Sequence, residues 1–370
     1  MICRLKTVAL LLCAAGLACG RSDAGIQSGG GPDGGSASDA GTLAYHVTDL
    51  GGAVVYSIDS QGRVAGNAML PSGKYGGGIY SHGSGWSAVP VPEGATLAEV
   101  VGIDENGNVA INAWFDQPCY KCSIRHSYLA SPLRPVPAER HDFQTSIINA
   151  IHPITGHVVG YDEVLGGAYL YEGNVTPIAV QLGSTFIAGG PSEALGLNVH
   201  DQVVGWMRVA SSPYNSTPAH AFVWDHGNLV DLGGGTGARG SCDAQGTGIN
   251  DSGLVVGVND VGPRCGEPQM FLWDGRMHVI GCPPDAPKYC WPRAINARGD
   301  VVGDALIAIA ADGQYAFIYR DGTFHRLDEL IDASGWKFEY AFGINDAGQI
   351  VGSGTLNGEM LRHAFVLTPR

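Results

Sequence analysis

From residue 44 onward, apolar and polar positions repeat in one short pattern: an apolar residue, Asn or Asp, two variable positions, Gly, one variable position, then Val-Val-Gly. Three copies are close to ideal: Ile249 to Gly257, Ile295 to Gly303 and Ile344 to Gly352. Leu197 to Gly205 has Asp201 in place of the first Gly. Ile58 to Gly66 and Ile103 to Ile111 are looser, and Ile151 to Gly160 holds one extra residue. The last positions fall at 66, 111, 160, 205, 257, 303 and 352, a period of 45 to 52 residues. An aromatic stretch, a Gly turn and another short apolar stretch follow, as in His220 to Leu232, Met270 to Ile280 and Tyr315 to Leu327. Each repeat therefore predicts four strands, A to D: A ends at the apolar–Asn pair, B carries Val-Val-Gly, C is aromatic, and D follows the Gly turn. Asn, Asp and Gly suit the turns because they tolerate positive φ, and β-branched and aromatic residues suit the strands.

Four strands per repeat at this spacing is the signature of a propeller blade. The chain ends support it. The last repeat stops after strand C at His363 to Leu367, whereas the first is preceded by a stray D strand, His46 to Gly51. Pairing the two would complete the seventh blade and leave no open sheet edge. The expectation is an all-β, seven-bladed β-propeller of four-stranded antiparallel blades, closed by an N-terminal strand.

The repeats resemble those of the HAF-repeat family of extracellular-repeat proteins over residues 44–370. The tripeptide occurs at His220-Ala221-Phe222 and His363-Ala364-Phe365, and in degraded form at His126-Ser127-Tyr128, Gln269-Met270-Phe271 and Tyr315-Ala316-Phe317. The resemblance implies export and a repeat fold. It implies no activity, because the family is defined by its repeat.

Export also follows from the N-terminus. Arg4 and Lys6 precede an apolar run, Thr7 to Ala18, that is too short for a comfortable transmembrane helix and reads as a signal peptide, residues 1–18. Cys19 follows Gly16-Leu17-Ala18, which resembles the lipobox of bacterial lipoproteins with Gly16 where Leu is usual. Lipidation of Cys19 is the expectation, and ordinary signal cleavage to a soluble periplasmic or secreted protein is the alternative. Residues 19–43 are mostly Gly, Ser, Ala and Asp and predict a flexible tether. The propeller is expected over 44–370, displayed at the outer membrane or cell surface, as a monomer that meets the membrane through its lipid alone. The formal charge is −14, and loss of Arg4 and Lys6 with the signal takes it to −16. Such acidity argues against nucleic-acid partners.

In a four-stranded meander, the A–B and C–D turns share one face and the B–C and D–A loops the other. Here the first set is short and regular, and the second varies, so a ligand is expected on the second. Six cysteines remain outside the signal peptide and Cys19. All fall in the variable loops, and loop adjacency predicts three bridges: Cys119–Cys122, Cys242–Cys265 and Cys282–Cys290. Trp114, Tyr120, Trp206, Tyr214, Tyr289, Trp291 and Trp336 lie near the same face and are the candidate ligand-binding residues, able to stack on sugar rings or anchor a partner. His126, His220 and His363 open C strands and read as packing positions; His152, His157 and His200 belong to the regular face. The sequence holds no recognisable nucleophile, metal or phosphate motif, so no catalytic residue, metal or cofactor is expected. The expected function is a non-catalytic binding or scaffold lipoprotein for a glycan or protein ligand. The alternative is a polysaccharide lyase or hydrolase with its site in the central funnel, to be recognised by Glu, His, Arg or Tyr clustered there with shifted pKa values. A structural envelope component with no discrete site is a third reading.

Overall fold

Each Val-Val-Gly segment forms the second strand of a sheet, and its two apolar residues point to opposite faces. Both faces are covered: the paired positions, from Val64-Ala65 through Ile350-Val351, are at most 4% exposed. The computed structural model of the protein describes residues 45–116, 123–130, 134–136, 145–178, 192–209, 218–237, 240–262, 265–307, 313–331 and 335–370. The repeats form seven four-stranded antiparallel sheets. Blade 1 is Val54–Ile58, Val64–Met69, Tyr75–Ser81 and Gly85–Ala88; blade 2 is Leu97–Ile103, Val109–Asp116, Ser123–Ala130 and Arg134–Val136. Blade 3 is Ser146–Ile151, Val158–Asp162, Gly167–Tyr171 and Val175–Pro177; blade 4 is Ser192–Leu197, Val203–Arg208, Ala219–Asp225 and Asn228–Gly233. Blade 5 is Ala244–Ile249, Val255–Val261, Glu267–Trp273 and Met277–Gly281; blade 6 is Cys290–Ile295, Val301–Leu306, Gln314–Arg320 and Thr323–Arg326. Blade 7 takes its first three strands, Trp336–Ile344, Ile350–Leu356 and Arg362–Pro369, from the C-terminal end and its fourth, Tyr45–Asp49, from the N-terminal end. That fourth strand runs antiparallel to the last, from Tyr45 opposite Pro369 to Asp49 opposite Phe365. The ring is therefore closed, and the protein is a seven-bladed β-propeller.

Seven apolar clusters fill the seven junctions between neighbouring blades. The closing junction is one of them: Val55 and Val64 of blade 1 pack with Val351 and Val366 of blade 7. Burial between blades, at roughly 25 cal/mol per Å² of apolar surface, thus acts around the whole circle. Two features have no counterpart in the repeat pattern. A short ribbon, Gly235–Gly237 with Gly240–Cys242, lies between blades 4 and 5, and a 3₁₀ turn at Leu327–Leu330 buries Leu327 and Leu330 beside blades 6 and 7.

Every A strand carries a β-bulge at the same place, opposite the Gly of Val-Val-Gly or its equivalent. The bulge presses strand A onto strand B, which explains the glycine. A Cβ on Gly205 would stand 1.9 Å from the Glu193 carbonyl oxygen. Blade 2 carries Ile111 there instead.

The Asn of the repeat does more than make a turn. Its Oδ1 accepts backbone N–H groups two and four residues on, as Asn250 does from Ser252 and Leu254. Its Nδ2 then donates to the next blade. Asn198 donates to the Asn250 carbonyl at 3.0 Å, Asn250 to Asn296 at 3.0 Å, Asn296 to Asn345 at 3.3 Å, and Asn345 across the closure to Asp59 at 2.8 Å. Asp59 has no N–H to give, and Arg63 takes over, donating to the Asp104 carbonyl at 2.8 Å. The Glu105 N–H reaches the Pro153 carbonyl at 2.7 Å. Hydrogen bonds thus tie the A–B turns together at six of the seven junctions, from blade 4 round to blade 3.

Candidate functional site

The opposite end of the A strands is built from equivalent positions whose residues vary from blade to blade. Four residues before the apolar–Asn pair stand Val54, Glu99, Ile147, Glu193, Gln245, Trp291 and Tyr340. The bulges place Tyr56, Val101, Asn149, Leu195, Thr247, Arg293 and Phe342 two residues later. Because the A strands are innermost, these two rings surround the funnel mouth on the variable face.

Blades 1 to 4 concentrate polar chemistry there. In two junctions a bulge residue reaches the glutamate of the next blade. Tyr56 hydrogen-bonds Glu99. Asn149 donates to Glu193 Oε1 at 3.0 Å and to the Ala194 carbonyl at 2.8 Å. Trp206 donates its indole N–H to Glu193 Oε2 at 3.2 Å. Arg125 lies over the Trp114 ring, 5.2 Å from its centroid, and is attracted by both Glu99 and Glu193. Glu99, Arg125, Glu193, Tyr56, Asn149, Trp114 and Trp206 are all half-buried, neither sealed in the core nor free on the surface.

Burial sets the electrostatics of this cluster. It raises the Glu99 carboxyl above the ordinary range, with Arg125 and the Tyr56 hydroxyl pulling the other way. Burial also lowers the Arg125 pKa, against the attraction of the two glutamates. The Tyr56, Tyr75 and Tyr161 hydroxyls are raised by burial and by nearby carboxylates, so all three stay neutral donors. A carboxyl with a raised pKa can accept, or when protonated donate, toward a bound hydroxyl.

The far side of the mouth is locked by its own pairs. The Asp304 carboxylate is 1% exposed and receives Arg293 at 2.7 Å and Gln314 at 2.9 Å. Arg362 binds Glu339 at 2.6 Å and covers the Tyr340 ring at 5.0 Å. At the rim of blade 6, a shallow cavity of about 290 Å³ is lined by Asp285, Tyr315 and Arg326, among others. There the Tyr315 hydroxyl donates to Asp285 at 2.5 Å, and Arg326 lies 4.2 Å from the Tyr315 ring centre.

Of the candidate aromatics, Trp114 and Trp206 belong to the polar cluster. Trp291 holds the mouth position of blade 6, in its first strand, and stacks on Tyr289 at 6.5 Å. Trp336 is a packing residue: it stacks on Phe338 at 5.3 Å and meets Phe365 edge-on at 5.9 Å. Tyr120 and Tyr214 lie outside the described residues, as do Cys19, Cys119 and Cys122. Cys242–Cys265 and Cys282–Cys290 are bonded as expected, although Cys242 closes the short ribbon and Cys290 opens a blade strand rather than lying in loops. These bridges fit a chain that matures in an oxidising compartment.

The histidines that recur in the C strands make local contacts. His220 Nδ1 meets Asp231 at 3.0 Å, and His363 Nδ1 meets Asp49 at 3.0 Å, joining strand C to strand D. His126 is buried beside Phe115.

No family model matches the chain, and no curated protein matches it in sequence. Among solved structures it is similar to the β-propeller domain of the Trilobed protease from Pyrococcus furiosus, with 11% identity, a TM-score of 0.47, and coverage of 87% of this chain and 95% of that one. It is also similar to the BP39L lectin from Burkholderia pseudomallei, with 10% identity, a TM-score of 0.39, and coverage of 86% and 96%. A third is the polysaccharide lyase Uly1, with 11% identity, a TM-score of 0.32, and coverage of 86% and 77%. At these values the likenesses are to overall shape and carry nothing about ligand or reaction.

Proposed function

We propose that the funnel mouth of blades 1 to 4 is a carbohydrate-binding site, carried by an exported propeller of the HAF-repeat type that is tethered to the envelope through Cys19. The observation that carries this reading is the convergence of Glu99, Arg125 and Glu193 with Tyr56, Asn149, Trp114 and Trp206. Sugar hydroxyls donate well to carboxylates, and the apolar faces of sugar rings stack on indoles. Divergence at seven otherwise equivalent positions supports the same reading, since a scaffold of repeats has no packing reason to differ there. The test is retention of bacterial and plant oligosaccharides on the immobilised protein. At least one class is retained, and Trp206→Ala and Glu193→Gln each weaken it tenfold or more. Loss of neither, or retention of none, refutes the reading.

A second reading is glycan cleavage at the same place, and the raised pKa of Glu99 favours it. A protonated Glu99 would hand its proton to the leaving glycosidic oxygen while a water adds to the anomeric carbon and gives its own proton to a second carboxylate. Incubating the retained oligosaccharide with the protein separates the two. Shortened products that vanish in Glu99→Gln mark an enzyme, and an unchanged oligosaccharide marks a binding protein.

A further inference from the structure

The circle of turn hydrogen bonds has one irregular junction, between blades 3 and 4. Blade 3 carries His152 where later blades carry Asn. Its Nδ1 accepts the Ile154 and Thr155 N–H groups, and its Nε2 reaches past blade 4 to Asp251 at 3.4 Å. No amide is left to donate to the Asn198 turn.

Three other side chains meet at this junction. His157 closes the A–B turn of blade 3, Glu172 lies in its C–D turn, and Asp201 lies in the A–B turn of blade 4. His157 Nδ1 stands 2.6 Å from Asp201 Oδ1, and one ligand atom from each of the three lies within 4.8 Å of the others. Asp201 occupies the position held by Gly62, Gly107, Gly156, Gly253, Gly299 and Gly348 in the other blades, and it adopts the same left-handed backbone, φ +57°. His226 in the C–D turn of blade 4 is attracted by both Asp201 and Glu172. Its Nδ1 is held by Asp225 at 2.7 Å.

We propose that His157, Glu172 and Asp201 form a site for a borderline divalent cation of the zinc type, clamping blade 3 to blade 4. The donor set is one imidazole and two carboxylates from three turns, a combination suited to zinc and its neighbours. With ligands about 2.1 Å from a tetrahedral ion, ligand atoms stand about 3.4 Å apart. The observed cluster reaches that spacing by opening the His157–Asp201 contact and drawing in Glu172. Such an ion would do at this junction what the Asn amide does at the later ones. The site lies on the face opposite the funnel mouth, so it is independent of the carbohydrate reading.

Asp201→Gly gives the cleanest test, because it restores the residue that the other repeats use and relieves the left-handed strain. The untagged, chelator-treated protein is titrated with Zn²⁺ by calorimetry, and its melting temperature is followed with and without the ion. One equivalent binds in the micromolar range or tighter, and Zn²⁺ raises the melting temperature of the wild type. Asp201→Gly and Glu172→Gln fold normally but lose at least tenfold in affinity and most of the thermal shift. Co²⁺ in place of Zn²⁺ gives visible d–d bands that the Asp201→Gly protein lacks. The proposal is overturned if the wild type binds no stoichiometric Zn²⁺ at millimolar concentration, or if Asp201→Gly binds as tightly as the wild type.

Discussion

The two ends of the A strands use polar residues in opposite ways. At the turn end, one position is Asn in four blades, Asp in two and His in one, and those residues spend their hydrogen bonds on the scaffold. At the mouth end, the equivalent position runs Val, Glu, Ile, Glu, Gln, Trp, Tyr. Repetition marks the residue that the architecture needs in every blade. Divergence at a fixed place in a repeat marks where the chain has been free to build a site.

The sharpest way to break the contrast is to attack the scaffold position. Gly205→Ala forces a Cβ against the Glu193 carbonyl, and the cost is about 3 kcal/mol or more. A denaturant melt checks this, and full stability would mean that the bulge is softer than its geometry implies. Next comes the turn circle. Asn250→Ala removes the acceptor for two turn N–H groups and the amide to Asn296, at about 2 kcal/mol in the same assay. At the mouth, Glu193→Gln keeps size and shape. It replaces one of the two oxygens that accept from Asn149 and Trp206 with an amide donor, costs about 1 kcal/mol and removes ligand retention.

The pH behaviour sharpens the comparison further. Glu99 titrates above the usual carboxylate range, and Arg125→Met raises it again by removing the favourable charge; carboxyl NMR reads both. The smallest effect is at the closing strand. The Asp49 hydrogen bond raises the His363 pKa. The stability it adds is complete below the ordinary histidine pKa of about 6.5 and fades as pH rises through the higher folded value. Asp49→Asn should therefore cost a few tenths of a kcal/mol at pH 5.5 and nothing at pH 9, given how exposed the pair is.

The propeller was legible because Val-Val-Gly and the Asn turn recur with their burial demands intact, and because a lone D strand at one end matched a missing D at the other. The bridges of Cys242 and Cys282 were legible from loop adjacency. The Asn was read only as a turn residue, because its second role needs the neighbouring blade, which no local pattern displays. Glu99 and Glu193 were passed over in favour of exposed-looking aromatics. They stand four residues before the apolar–Asn pair, and aligning the repeats at that offset would have picked out both charges in otherwise apolar strands. The packing of Trp336, half-buried against Phe338 and Phe365, was not legible from its place near a strand end.

The most direct measurement is a crystal structure of the protein with an oligosaccharide that it retains. The expected result is density at the funnel mouth, with a sugar ring against Trp114 or Trp206 and hydroxyls within hydrogen-bond distance of Glu99 or Glu193. Density seated instead in the blade 6 rim cavity or on the turn face, with the mouth empty, would contradict it.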